Sequence, residues 1–185
     1  MNMKKMYFLV LLSAISMSFN ICGAENKYNS NSCYQKYGKE TLNSIQGNGS
    51  VVLEETKILG LVQVNGSLKA DESLINSLQV NGQADLSNCV IADTTIINGS
   101  LNANNTKFQQ KLSVASQKIV LRMCSVDSLI IREVSGFTGT QVIDLRSGTN
   151  VTGAITVESG KGEIWISSNS EIQSSQVSGA QVYKK

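Results

Sequence analysis

An Asn-Gly pair recurs at Asn48-Gly49, Asn65-Gly66, Asn81-Gly82 and Asn98-Gly99, at intervals of 17, 16 and 17 along the chain. Self-similarity at such a period marks a repeat architecture, whose units are too small to hide their apolar side chains alone. Extending the frame reaches Ala115-Ser116 and then Arg132-Glu133, where the glycines are gone but the apolar pattern persists. An alternating pair precedes each turn: Val62 and Val64, Leu78 and Val80, Thr95 and Ile97, Leu112 and Val114, Leu129 and Ile131. A second pair follows it: Val51 and Leu53, Leu68 and Ala70, Ala84 and Leu86, Leu101 and Ala103, Ile119 and Leu121. A third column runs through Ile58, Ile75, Val90, Phe108 and Val126. Alternation by two is the strand period, with one face buried and the other wet.

Three short strands per repeat must stack to find a core. Winding each strand onto its counterpart one turn earlier, ~4.8 Å away, gives a parallel β-helix. The expected fold is therefore all-β: a single-stranded parallel β-helix over residues 48–182, right-handed, of about seven coils. Residues 25–47 carry no repeat and read as an N-terminal cap or leader, and 183–185 as a tail. At the turns Asn48, Asn65, Asn81 and Asn98 are expected to stack as an amide ladder. The glycine after each supplies the positive φ of the corner. An antiparallel sandwich would instead place Asn-Gly hairpins every ~8–12 residues. Here the pair marks one corner in three. Beyond Gly136 and Gly139 the repeat lengthens: Val142 to Leu145 resembles Glu163 to Ile166 at a shift of 21.

The N-terminus reads as an export signal, residues 1–24. Lys4 and Lys5 form its charged head, Met6 to Phe19 its apolar run, and cleavage falls between Ala24 and Glu25. Cys22 raises lipidation as a route to the membrane. Without Lys4 and Lys5 the basic residues fall from 16 to 14, equal to the 14 acidic ones, so charge gives no case for nucleic-acid binding. The expected location is periplasmic, outer-membrane-associated or secreted, an oxidising space where Cys33 could bridge to Cys89 or Cys124. Cys89 and Cys124 fall two repeats apart at the same place, too far for each other, and suit the core as small apolar residues.

The chain has no histidine, which removes Ser-His-Asp and Cys-His nucleophiles and His-based zinc sites. No catalytic residue, cofactor site or metal site is expected. Arg122, Asp127, Arg132 and Glu133 are the nearest approach to a polysaccharide-cutting cluster, though cross-strand pairs of opposite charge are ordinary on a sheet. Trp165 alternates with Ile164 and Ile166, faces outward, and is the candidate binding anchor.

The Gly-punctuated runs Val151-Thr152-Gly153-Ala154-Ile155 and Leu68 to Leu101 resemble bactofilin-type polymer-forming proteins, small bacterial β-helices that assemble end to end. The resemblance spans about residues 48–182 and implies a structural, self-assembling role without nucleotide. Two features depart from that family: an export signal and an uneven coil length. Two readings follow. One is a non-enzymatic structural or surface protein of the bacterial envelope that meets copies of itself end to end. The other is an adhesin or binding module that holds a glycan or host partner near Trp165 or the glycine-rich bend.

Overall fold

The computed structural model describes residues 33–173 and 176–185. The expected export signal, with Cys22 and the Ala24–Glu25 cleavage position, lies outside the described residues. From Cys33 onward the chain is strand after strand, with no α-helix among the described residues. Among the described residues seventeen strands, β1 (Cys33–Tyr37) to β17 (Ala180–Lys184), join in one continuous sheet. Pairing is parallel throughout, as at β1 with β3 (Ile45–Glu54) and at β17 with β14 (Gly162–Ile166). This is a β-solenoid, and in its regular coils each side chain meets one 16 or 17 positions away, as the Asn-Gly spacing foretells.

Each coil has three walls. The first begins at β1 and continues through residues 49–53, 66–70, 82–86 and 99–103 to β9 (Lys118–Arg122), β11 (Gln141–Arg146), β14 and β17. The second is short and stacks Ile58, Ile75, Ile91, Phe108, Val126 and Val151. The third stacks Val64, Val80, Ile97, Val114, Ile131 and Val157. These columns fill the inside, and most members are under 3% exposed. Asn102, Gln109 and Gln117 face water, as the alternation requires.

Two expectations about extent and register need correction. The stack has about nine turns, not seven. One additional coil comes from β1 and β2 (Thr41–Leu42), which pair with residues of the next coil, so the part of the expected cap from Cys33 onward is itself solenoid. Its inward position holds Gln35 where later coils hold Val51 and Leu68, which hid it from an apolar count. The other comes from β17, which includes Tyr183 and Lys184 of the expected tail. The second correction is in the second wall, where Ile91 and not Val90 takes the core position above Ile75. Ile91 is fully buried and Val90 half-exposed.

A corner the sequence did not advertise turns the first wall into the second. Glu55, Glu72, Asn88, Asn105 and Met123 each adopt the left-handed conformation there, with φ between 46° and 53°. The stack imposes it. Each of these backbone N–H groups donates to a carbonyl of the next coil, as Glu55 does to Asp71 (3.0 Å) and Asn105 to Arg122 (2.9 Å). The following residue is small and polar: Thr56, Ser73, Cys89, Thr106, Cys124. Its hydroxyl or thiol donates back to the carbonyl two residues before, at 2.8 Å for Ser73 to Asp71 and 3.0 Å for Thr106 to Asn104. Buried carbonyls at the bend are thereby satisfied without water.

Candidate functional site

The Asn corner forms the expected ladder, and it has a direction. Asn65 Nδ2 donates to Asn48 Oδ1 at 3.0 Å, Asn81 to Asn65 at 2.7 Å, and Asn98 to Asn81 at 2.6 Å. Above Asn98 the register passes to Ala115 and then Arg132. Arg132 reaches back over the small Ala115, and its guanidinium donates to Asn98 Oδ1 (2.6 Å) and Ile97 O (3.1 Å). A cation thus closes the acceptor end of the amide row, where a charge-assisted hydrogen bond is strongest. The glycines beside the ladder are packed backbone on backbone. A Cβ on Gly66, Gly82 or Gly99 would lie against the carbonyl oxygen of the glycine one coil below.

The cysteines do not form the expected bridge. Cys89 and Cys124 are buried free thiols. The backbone of Cys33 pairs with Gly49, at the Asn-Gly corner. Cys89 and Cys124 stand at the next corner, across the width of the first wall and several coils higher. They do share a column with Thr106 between them, as the spacing predicted. Burial pushes both thiols up, Cys124 to about 11, against a smaller opposite pull from backbone hydrogen bonds. A thiol so protonated is a poor nucleophile.

Nor does the structure bring the charged cluster together. Arg122 ends a first-wall strand, Asp127 lies where the second wall turns into the third, and Arg132 and Glu133 follow the third wall. Three different corners separate them.

Trp165 does face outward, on the first wall, but its ring is half-buried. Tyr183, at the same register one coil on, stacks against it with centroids 4.6 Å apart and 20° between planes. Trp165 Nε1 donates to Glu163 Oε2 at 3.2 Å, and Lys185 Nζ lies 5.8 Å from the ring centroid. The residue below Trp165 in register is Asp144, 3% exposed. Arg146 and Lys185 both pair with its carboxylate, Lys185 Nζ at 2.9 Å. Burial alone would raise the Asp144 carboxyl, but these two cations outweigh it and hold the group below its usual range. The column Asp144–Trp165–Tyr183, tied by Lys185, is a staple across the last coils. A stacking face that the sequence offered to a ligand is occupied from within.

The glycine-rich bend is different. Between β10 (Ser125–Arg132) and β11 the chain leaves the coil for residues 133–140. This loop overhangs the turn at Ser159–Lys161 and encloses a half-open groove of about 230 Å³. Its floor is rigid. Gln141, 1% exposed, donates from Nε2 to Ser116 O (2.9 Å) and Arg132 O (2.8 Å) and accepts at Oε1 from Ser159 Oγ (2.7 Å). Lys161 Nζ holds the loop by Thr138 O at 3.3 Å, and Phe137 N donates to Val134 O at 3.0 Å. The side chains of Glu133, Ser135 and Thr138 border the groove and make no hydrogen bond to any described residue. Sequence reasoning marked the bend by its glycines. It missed Ser159 and Lys161, which lie far along the chain and meet the loop only once a long coil closes.

Protein-family models, curated proteins and solved structures were all compared with this chain, and none of them matches it.

Proposed function

We propose that this chain is a rigid, non-enzymatic β-helical binding module, exported to the bacterial envelope or surface, that holds an envelope or host glycan at the bend. The observation that carries the reading is the excursion of residues 133–140, where the chain leaves the coil between two strands and builds a groove against the turn at Ser159–Lys161. Loops positioned by a stiff scaffold are where binding residues concentrate. The groove sets one aromatic ring among several polar side chains, which offers a ligand both an apolar face and hydrogen-bond partners. Export rests on the apolar run after Lys4 and Lys5. The protein without residues 1–24 should co-sediment with insoluble envelope or host-cell polysaccharide, and a variant with residues 134–139 shortened to Asn-Gly should not. Equal retention of both, or of neither, would refute the reading.

End-to-end association is the second reading, favoured by half-buried Ile172, Val177 and Val182 near the last coil. Against it, Lys184 takes the register position that Leu145 and Ile166 fill in the coils below. An inward-directed charge on an edge strand opposes the addition of another strand. Sedimentation velocity at rising concentration should show one small species, whereas filaments would restore the polymer reading.

A further inference from the structure

We infer that the groove under the bend takes a single neutral sugar ring, with Phe137 as its platform. The inference rests on the binding-module reading above and names the ligand class. Three observations carry it.

The first is size. At about 230 Å³ the groove falls below the ~300–1,000 Å³ typical of drug-sized pockets, so it suits one ring and not a run of several. Being half-open, it leaves the rest of a longer glycan outside.

The second is the kind of surface. Phe137 is half-buried and supplies one apolar face, while Glu133, Ser135 and Thr138 supply unpaired polar groups around it. A pyranose has the complementary form: a face of C–H bonds and a rim of hydroxyls. The Glu133 carboxylate can accept from such hydroxyls in charge-assisted bonds, and Lys161 can donate to them. One carboxylate and one ammonium on the border leave no net charge, which disfavours a polyanion.

The third is preorganisation. Gln141 fixes the floor and Lys161 ties the loop at Thr138 O before any ligand arrives, which lowers the ordering cost of binding. Gly139 serves the platform directly, because a Cβ there would meet the Phe137 ring at 2.7 Å. The ring lies against bare backbone.

The test is a ligand-observed NMR titration of the protein without residues 1–24. The probes are the methyl glycosides of glucose, galactose, mannose and N-acetylglucosamine, with methyl glucuronide as the charged comparator. At least one neutral glycoside should bind. Phe137→Ala should weaken it about tenfold or more, in keeping with loss of an aromatic contact. Gly139→Ala, which displaces the ring but keeps it, should weaken binding with the thermal midpoint unchanged. Trp165→Ala should leave binding as it was. Absence of binding by every neutral glycoside would overturn the inference, as would a clear preference for the glucuronide. Binding lost in Trp165→Ala but kept in Phe137→Ala would also overturn it. If polysaccharide retention persists while no glycoside binds, this inference fails and the module reading stands; if both vanish, both fail.

Discussion

The coils from Asn48 to Ala115 and those from Ser116 onward use the same fold for different ends. In the first stretch the strands pair in register over most of their length, with one shift between Ile58 and Leu61, and the Asn corner is carried from coil to coil. In the second, the coils that separate Ile119, Ile143, Ile164 and Val182 in one column are all longer than the Asn-Gly repeat, and no two are equal. The core hardly notices. Ile143 and Leu145 are as buried as Ile97 and Leu101. What changes is the outside, where amide rows give way to a loop, a groove and an ion-paired aromatic stack. Regularity is thus a property of the backbone ladder and the inner columns, and it tolerates surface departures confined to corners.

The largest expected effect tests the inner columns. Ile97→Ala should destabilise by about 2–5 kcal/mol through the cavity it leaves, and Ile143→Ala in the irregular half should cost as much if the core is one continuous body. Asn102→Ala, exposed, should stay within about 0.5 kcal/mol. Denaturant unfolding would separate these, and equal costs at Ile97 and Asn102 would break the assignment of faces.

Next come the glycines. Gly82→Ala should cost about 3 kcal/mol or more, since the added carbon meets the carbonyl of Gly66 and φ is +142°. Gly136→Ala in the loop meets nothing within 4 Å and carries only the strain of φ +77°, about 1 kcal/mol. Thermal midpoints that moved equally would contradict the contrast between packed and open corners.

Arg132→Ala uncaps the amide row at the border of the two halves and should cost about 1–2 kcal/mol. Hydrogen exchange should rise first at Asn98 and its neighbours; a uniform rise would argue against a local cap.

The smallest effect is on acid stability, in the second half. Because the Asp144 carboxyl is held below its usual range, the unfolded chain takes up its proton more readily than the folded one. The stabilisation is complete above the unfolded value of about 3.9 and is lost as pH falls through the lower folded value. Asp144→Asn should flatten that acid limb in thermal melts. An unchanged limb would mean that the pairs with Arg146 and Lys185 contribute nothing.

How legible this was depended on which residues carried the signal. The first and third walls could be read because Val62, Leu78, Ile97 and their neighbours alternate in step with a turn that glycine marks. The second wall slipped by one position, at Val90 for Ile91, because both are apolar and the neighbouring corner changes length by a residue. The left-handed corner was invisible, since Glu72 and Met123 have no preference for that conformation and take it only under hydrogen bonds from the next coil. Gln35 concealed a whole coil behind a polar side chain. Trp165 was read correctly as outward-facing, but its covering by Tyr183 depends on the register of a coil that an apolar count did not reach.

The ladder's local construction has a consequence for length. Apart from Arg132, which reaches over Ala115 to Asn98, the regular coils are built on contacts with those directly above and below. Excision of residues 66–81 would splice Asn65 onto Gly82 and return the same corner, one storey shorter. The groove, several storeys up, would stand on an unaltered support. Such a rod can be trimmed or extended by whole coils without disturbing the inner columns of those that remain.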